Sequence, residues 1–312
     1  MPDDADNRRA TDLPVPRGPR IVSMSSAEQN PASPADTASV YGPPAPAKYR
    51  TVHFQRAKDE GRRFAMLTSY DAMTAEIFDA AGVEMLLIGD SVGNTVLGHS
   101  TTLPVSLDDM VLFASAVTRG ATRAFVVADL PFGSYEASPQ DAVAAGVRLV
   151  KEAGVHAVKM EGDERFAEHV AAMTAAGVAV MAHIGFTPQS ENVLGGYRVQ
   201  GRGEDATRRM VASARALEEA GAFAVLMEMV PSEVAAAVDA ALTVPTVGIG
   251  AGAETTGQVL VWQDMLGMRT GGMPRFVRRY ADLHGTITDA VTQYRRDVLS
   301  GQFPAPEHGF EA

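Results

Sequence analysis

The feature that most constrains the fold is a series of short, almost uninterrupted apolar segments. Such a segment recurs eight times between residues 64 and 263, and each is four to six residues long. A strand that is apolar on both faces is covered on both sides, as in parallel sheets flanked by helices. We therefore predict strands at residues 64–69, 84–89, 124–129, 156–160, 179–183, 223–228, 246–249 and 259–263.

The segments between these strands have the caps and the spacing of helices. Ser138 and Pro139 are typical of a helix start, and Val143, Val147 and Val150 then form an apolar stripe. Similar stripes occur at residues 210, 211, 214 and 217 and at residues 234, 238 and 242. We also expect a helix at residues 50–61, before the first strand, and one at residues 276–298 that covers the far end.

Strands that alternate with helices in this way predict a (β/α)8 barrel, a TIM barrel of the α/β class. The recurrent glycines at helix ends, such as Gly154 and Gly221, support a repeated helix-to-strand unit. The main alternative is an open doubly wound sheet. Its GxGxxG fingerprint does not follow the first predicted strand.

The first 47 residues differ in composition from the rest of the chain. They contain nine of the 18 prolines and few large apolar residues. Such a segment buries too little surface to offset its ordering entropy. We predict a disordered extension at residues 1–47 and a single catalytic barrel domain at residues 48–312. An alternative explanation of the extension is that translation begins at Met24.

Charge and cysteine content exclude several classes of function. The net charge of −11 argues against nonspecific binding to nucleic acid or to an anionic membrane. The chain has no apolar run long enough to span a membrane. It has no cysteine, which excludes disulfides, thiolate-bound metals and a cysteine nucleophile. These features predict a cytoplasmic protein.

Polar side chains stand at the carboxyl ends of five neighbouring predicted strands, where a barrel of this kind has its active site. They are Asp90, Ser91, Asp129, Lys159, Glu161, His183 and Glu228. Asp90, Asp129 and Glu161 offer the oxygen ligands that Mg²⁺ prefers. The alternative for any one aspartate at a strand end is that it caps the next helix.

The other polar residues fit the binding and deprotonation of an acid. Lys159 points the same way as Glu161 along one strand, and it either pairs with an acidic neighbour or binds a substrate carboxylate. Glu228 stands among apolar residues, which suits a general base with a raised pKa, but it could also be an ion-paired or helix-capping residue. His183 alone is more typical of a core histidine. The glycine-rich turn at residues 248–252 could hold an anion.

Longer motifs make the pattern specific. They lie at residues 67–71, 88–93, 98–105, 128–132, 158–162, 183–190, 195–197, 200–203, 228–231 and 248–252. In this order and over residues 48–310, the chain resembles the ketopantoate hydroxymethyltransferases of pantothenate biosynthesis. Each motif is weak alone, but together they are specific.

The resemblance implies a barrel of the phosphoenolpyruvate/pyruvate type and a Mg²⁺-dependent transferase. Its expected activity is hydroxymethyl transfer from 5,10-methylenetetrahydrofolate to 3-methyl-2-oxobutanoate. The resemblance further implies Asp90, Asp129 and Glu161 as magnesium ligands and Ser91 and Lys159 as carboxylate-binding groups. Asp90 and Asp129 would also line the substrate site, and Glu228 would be the proton acceptor. A large homo-oligomer, typically a decamer, is also expected.

Two other functions remain open at this point. A metal-dependent carbon–carbon lyase on the same barrel would share Asp90 and Asp129, although lyases of this kind often use a cysteine. A non-catalytic 2-oxo acid sensor would need a degraded site, which the sequence does not show. The arginines at 275, 278 and 279 could suggest a nucleic-acid patch, but a solvated helix face fits so acidic a chain better.

Overall fold

The computed structural model describes residues 46–311, so nearly all of the predicted extension lies outside the described residues. Eight parallel strands form a closed barrel in chain order, and the last strand pairs with the first. The strands are β1 Phe64–Thr68, β2 Met85–Ile88, β3 Phe125–Asp129, β4 Ala157–Glu161, β5 Val180–Gly185, β6 Ala224–Glu228, β7 Thr246–Ile249 and β8 Gly257–Leu260. The predicted (β/α)8 barrel is confirmed.

Seven of the strands lie within two residues of their predicted bounds, and the eighth is displaced. β8 begins at Gly257, and Gln263, the predicted end, is already helical. A Cβ atom at Gly257 would lie 2.5 Å from the Phe64 ring, so glycine is required where the two strands meet. The start of this strand was missed because Gly257 and the exposed Gln258 do not form an apolar pattern.

Helices and short turns connect the strands. The helices are α1 Thr51–Asp59, α2 Ala72–Ala80, α3 Val92–Thr95, α4 Leu107–Gly120, α5 Pro139–Arg148, α6 Ala167–Ala175, α7 Glu191–Leu194, α8 Glu204–Glu219, α9 Ser232–Ala241, α10 Trp262–Met265 and α11 Leu283–Ser300. The predicted start of α5 is confirmed, because the Ser138 side chain accepts a hydrogen bond from the Asp141 backbone. Of these helices, none is long and apolar enough to cross a membrane.

The predicted apolar stripe of α5 is wrong at two of its three positions. Val147 and Val150 are exposed, whereas Val143 is partly buried against the core. The helix chiefly buries Ala142, Ala145 and Gly146. A Cβ atom at Gly146 would lie only 3.3 Å from a methyl group of Val178, so small residues bring α5 close to the neighbouring segment.

The predicted C-terminal helix also differs from the structure. It begins at Leu283 rather than at residue 276, and it has no buried residue. Ile287, Val291, Tyr294 and Val298 are each at least 40% exposed, at the spacing of one helix face. This helix therefore does not cover the barrel. The amino end of the barrel is instead closed by α1, whose Phe54 is buried against Phe64.

Candidate active site

A cavity of about 520 Å³ opens at the carboxyl end of the barrel. Every predicted site residue lines it: Asp90, Ser91, Asp129, Lys159, Glu161, His183 and Glu228. All of these side chains come from the last residues of β3 to β6 or from the turn after β2. The parallel barrel brings them together because the carboxyl ends of all its strands meet at one rim.

The turn after β2 places Asp90 and Ser91 in the cavity. Gly89 makes this turn possible, because a Cβ atom there would lie 2.5 Å from Ser91 Oγ. Ser91 begins α3, but its side chain makes no capping hydrogen bond and instead pairs with the hydroxyl of Tyr70 at 2.9 Å. Ser91 is thus held in place by a buried tyrosine that the sequence analysis did not single out.

The two aspartates do not cap helices. The backbone N–H of Asp90 donates to Asp129 Oδ2 over 3.0 Å, and the next helix after Asp129 is capped by Ser138 instead. Burial raises the pKa of both Asp90 and Asp129 to about 6. The charge of Glu161 also raises the pKa of Asp90, and that of Asp90 raises the pKa of Asp129, while the charge of Lys159 opposes both increases. Both aspartates are therefore harder to ionise in the folded protein than in water.

Lys159 lies among acids rather than beside one partner. Its Nζ is 3.1 Å from Asp129 Oδ1 and also 3.1 Å from His183 Nδ1. Burial alone would lower the pKa of Lys159, but the charges of Asp129, Glu161 and Asp90 raise it above the usual value. The ammonium group therefore stays charged inside the barrel. The expected pairing with an acidic neighbour is confirmed, and the partner is Asp129.

His183 is neutral and links Lys159 to Glu228. Burial and the adjacent Lys159 charge hold the pKa of His183 well below its usual value. Because an ammonium group only donates, Nδ1 accepts from Lys159, and the ring proton is on Nε2. That nitrogen faces Glu228 Oε2 at 3.5 Å, beyond a normal hydrogen bond.

The two glutamates of the site are both difficult to ionise. Burial raises the pKa of Glu161 to about 8 and that of Glu228 to about 8, and the Glu161 charge contributes to the second shift. The side chain of Glu228 is 17% exposed, while that of Glu161 is 3% exposed. Glu228 does not cap the following helix, because α9 has no side-chain capping hydrogen bond. Glu228 is thus the more accessible acid and faces the open cavity.

The acidic residues have oxygen atoms available for a cation. Glu161 Oε1 is buried and makes no hydrogen bond, and Asp129 Oδ1 pairs with Lys159 Nζ at 3.1 Å. Buried carboxylate oxygens of this kind fit a hard divalent ion. Within residues 46–311, no group of three or more His, Asp or Glu side chains has the spacing of a complete metal site. The residues therefore fit an ion that takes part of its ligands from substrate or water.

Sequence reasoning missed Gln189 and Tyr135. Gln189 is buried, and its side chain donates to Asp90 Oδ2 over 2.9 Å while its backbone N–H donates to Glu161 Oε2 over 3.0 Å. The Tyr135 hydroxyl donates to Gln189 Oε1 over 2.7 Å. Gln189 lies in a recognised motif, but a glutamine carries no charge that would have indicated its role.

The glycine-rich turn after β7 has a packing function in this structure. A Cβ atom at Gly250 would lie 2.8 Å from the Phe276 ring, and one at Gly252 would lie 2.5 Å from Ser232 Oγ. Both glycines also have positive φ angles, 62° and 80°. The turn therefore needs glycine to let neighbouring side chains approach. Anion binding at this turn stays a prediction.

The sequence of the chain is similar to those of known enzymes over most of its length. A family model described as ketopantoate hydroxymethyltransferase matches residues 48–306. The 3-methyl-2-oxobutanoate hydroxymethyltransferase of Paenarthrobacter aurescens (strain TC1) is 62% identical over 280 residues, covering 90% of this chain and 93% of that protein. The protein of the same name from Arthrobacter sp. (strain FB24) is 57% identical and covers 98% of each chain.

Solved structures share the fold at low sequence identity. A phosphonopyruvate hydrolase superposes with a TM-score of 0.54 at 18% identity, covering 82% of this chain and 92% of that one. A 2,3-dimethylmalate lyase of the PEP mutase/isocitrate lyase superfamily gives a TM-score of 0.52 at 17% identity, covering 83% and 92%. These structures share the fold of this chain.

Proposed function

The chain belongs to the ketopantoate hydroxymethyltransferase family, and from this premise we propose the details of its reaction. The chain transfers a hydroxymethyl group from 5,10-methylenetetrahydrofolate to 3-methyl-2-oxobutanoate, forming 2-dehydropantoate and tetrahydrofolate. The observation that carries the proposal is one cavity in which a charged lysine, buried carboxylates and an accessible glutamate meet. The lyase and sensor alternatives lose their support, because the close relatives are named as transferases.

In this proposal the acidic residues hold a magnesium ion. Asp90 and Asp129 are the ligands, and Glu161 is a third, directly or through water. When bound, the ion supplies a Lewis acid that stabilises negative charge on the keto oxygen of the substrate. The geometry supports this assignment, because the three carboxylates line one cavity and Glu161 Oε1 makes no hydrogen bond.

Lys159 and Ser91 bind the carboxylate of the 2-oxo acid. Lys159 is already buried and charged beside Asp129, so no additional cation has to be buried when an anion binds. The substrate carboxylate would replace part of the contact between Lys159 and Asp129. Ser91 contributes a hydroxyl whose position is set by Tyr70. Together the two groups place the substrate's carboxylate beside β2 and β4.

Glu228 is the general base. Its carboxylate takes the proton from C3 of the 2-oxo acid, and the electron pair of that C–H bond moves toward the keto group. C3 then forms a bond to the methylene carbon of the donor, both C–N bonds of that carbon break, and a water molecule supplies its hydroxyl group. The proton taken from C3 and the remaining proton of the water end on the two folate nitrogens, which releases tetrahydrofolate. A pKa near 8 suits proton abstraction at neutral to mildly alkaline pH. The Nε2–H of His183 faces Glu228 Oε2 at 3.5 Å, on the side away from Lys159.

The donor occupies the outer part of the cavity. Pro274, Phe276 and Val277 form an apolar wall there, and Arg269 adds a cation whose side chain is 50% exposed. The aromatic rings of a folate fit the apolar wall, and its anionic glutamate tail fits the arginine. Arg269 is anchored by Asp264, with N–O distances down to 3.2 Å.

The protein forms a homo-oligomer, of decamer size by resemblance to its family. The exposed apolar face of α11, formed by Ile287, Val291, Tyr294 and Val298, supports this proposal. An apolar helix face that residues 46–311 leave uncovered is typical of a subunit contact. A cytoplasmic location, predicted from the sequence, remains part of the same proposal.

The experiment that tests the proposal is a steady-state assay of the full-length chain. It measures 2-dehydropantoate formed from 3-methyl-2-oxobutanoate and 5,10-methylenetetrahydrofolate. We expect turnover with Mg²⁺, loss of turnover after EDTA treatment, and recovery when Mg²⁺ is restored. Asp90→Ala and Asp129→Ala should each cut turnover strongly. Full activity of the metal-free protein would contradict the proposal.

A further inference from the structure

Gln189 connects four parts of the site from a position outside the group of charged residues. It lies in a short 3-10 turn after β5 and is buried. Its side-chain Nε2 donates to Asp90 Oδ2 and to the carbonyl of Leu130, each over 2.9 Å. Its Oε1 accepts from the Tyr135 hydroxyl, and its backbone N–H donates to Glu161 Oε2. One residue thus contacts both the turn after β2 and the end of β4.

The orientation of the Gln189 amide is determined by its neighbours. The two acceptors, Asp90 Oδ2 and the Leu130 carbonyl, require the NH₂ group on their side. A flipped amide would place Oε1 against both of these oxygens and would leave two buried acceptors without a donor. Only an amide can donate to a carboxylate and a carbonyl while accepting from Tyr135.

The three carboxylates share one pattern. Asp90 Oδ2 accepts from Gln189 Nε2, Asp129 Oδ2 accepts from the backbone of Asp90, and Glu161 Oε2 accepts from the backbone of Gln189. The second oxygen of Glu161 makes no hydrogen bond, and that of Asp129 pairs with Lys159 Nζ. One oxygen of each carboxylate is therefore fixed by a neutral N–H donor, and Gln189 supplies two of these three donors.

We propose that Gln189 is a positioning residue that sets the geometry of Asp90 and Glu161 for a divalent ion. Its two donors hold one oxygen of each carboxylate and leave the other oxygen for the ion. This inference rests on the proposed function only in one respect, namely that the bound ion takes part in the reaction. A neutral amide suits the task, because a cationic donor at the same place would compete with the ion for the carboxylates.

Tyr135 acts one step further from the ion. Its hydroxyl lies 2.7 Å from Gln189 Oε1 and 3.0 Å from the backbone carbonyl of Glu161. It therefore favours the amide orientation in which Nε2 faces Asp90. Removal of this hydroxyl leaves the donors of Gln189 in place, so its effect should be smaller than that of replacing Gln189.

The test is direct binding of Mn²⁺ alone, with the free ion measured by EPR, in the full-length wild type and in Gln189→Met and Tyr135→Phe. The titrations are repeated with saturating 3-methyl-2-oxobutanoate. Loss of a residue that orients metal ligands typically weakens metal binding about 10–100-fold, which is the effect we expect for Gln189→Met. Tyr135→Phe should weaken Mn²⁺ binding about 3-fold, as expected for one neutral hydrogen bond. The Mg²⁺ concentration for half-maximal turnover should rise in the same order.

Gln263→Met is the matched control, because Gln263 is a second buried glutamine and lies in α10, after β8. It should bind Mn²⁺ like the wild type, which separates positioning from a general loss of packing. If Gln189→Met does not fold, Tyr135→Phe still decides the question. Wild-type Mn²⁺ affinity in both variants would overturn the inference, as would absence of Mn²⁺ binding by the wild type. A wild type that binds Mn²⁺ without turnover would reject the proposed function and leave this inference standing.

Discussion

The two ends of the barrel interior contrast sharply in what they bury. At the amino end the strands contribute apolar side chains, and Phe54 of α1 closes the barrel with its ring 4.8 Å from that of Phe64 and 5.4 Å from that of Phe125. At the carboxyl end the same strands bury charged groups. β4 alone changes from Ala157 to Lys159 and Glu161 within five residues.

This difference indicates that the residues that stabilise the fold and those that line the candidate active site lie at opposite ends of the barrel axis. The amino end gains free energy by removing apolar surface from water. The carboxyl end loses free energy, because burial raises the pKa of Asp129, Glu161 and Glu228 and leaves Glu161 Oε1 without a hydrogen bond. A change at one end should therefore affect stability, and a change at the other should affect the reaction.

The largest expected effect is at the carboxyl end. Glu228→Gln keeps the shape of the side chain but removes the proton acceptor, so deprotonation of C3 should fail. General-base catalysis typically contributes about 10²–10⁴-fold in rate. The measurement is exchange of the C3 hydrogen of 3-methyl-2-oxobutanoate with deuterated water, followed by NMR with Mg²⁺ and without folate. The 2-oxo acid should still bind to the variant.

Lys159→Ala is the comparison for that experiment, since it should chiefly weaken binding of the 2-oxo acid. Exchange by Glu228→Gln at the wild-type rate would show that Glu228 is not the base. His183 would then be the next residue to test, because it lies 3.5 Å from Glu228 and lines the same cavity.

The second prediction tests the amino end. Phe54 is 1% exposed, and Phe54→Ala should leave a cavity between α1 and the barrel. Large-to-small changes of buried phenylalanine typically cost about 3–5 kcal/mol of unfolding free energy. Chemical denaturation measures this loss, and kcat should stay close to that of the wild type. Val52→Ala, on the exposed side of the same helix, is the control. A large loss of kcat in Phe54→Ala would show that the two ends are coupled.

The same contrast explains how much of the molecule the sequence predicted. Strands buried on both faces leave an uninterrupted apolar pattern, so β2 to β7 lay close to their predicted positions. Charged residues inside such strands, such as Lys159 in β4, stand out against that pattern. The cavity brings all of the predicted site residues together, and their roles stay predictions.

The parts that were missed depend on contacts between distant segments. Gln189 and Tyr135 are neutral, and their role appears only when loops after β3 and β5 meet. The buried face of α5 was wrong because close approach to Val178 selects small residues rather than valines. The exposed apolar face of α11 was missed for a similar reason. An apolar pattern shows that a helix face is suited to burial, but not whether the surface that buries it belongs to this chain or to another.

The third prediction concerns pH and compares Glu228→Gln with the wild type. The pKa of Glu228 is raised from 4.5 to about 8, chiefly by burial, so the folded state binds this proton more tightly than the unfolded state does. The resulting stability is fully present below pH 4.5 and is lost as the pH rises through 8. The Gln variant has no such loss. It should match the wild type near pH 4.5 and exceed it by about 5 kcal/mol at pH 9 in metal-free buffer, at about 1.4 kcal/mol for each pH unit between the two pKa values. A difference that stays constant between these pH values would contradict the assigned pKa.

The smallest expected effect lies at the mouth of the cavity, where neither buried charge nor buried apolar surface dominates. Arg269 is half exposed, so its contact with an anionic folate tail is screened by water. Arg269→Ala should raise the KM for 5,10-methylenetetrahydrofolate about 2–5-fold, as expected for an exposed ion pair, and leave the KM for the 2-oxo acid unchanged. Arg278→Ala is the control, because its guanidinium lies over the Tyr280 ring and does not line the cavity. The decisive comparison uses a donor without the glutamate tail. With that donor the wild type and Arg269→Ala should have the same KM, because the group that the arginine binds is missing. An equal loss with both donors would show that Arg269 acts by holding Asp264 and the cavity wall in place rather than by binding the tail.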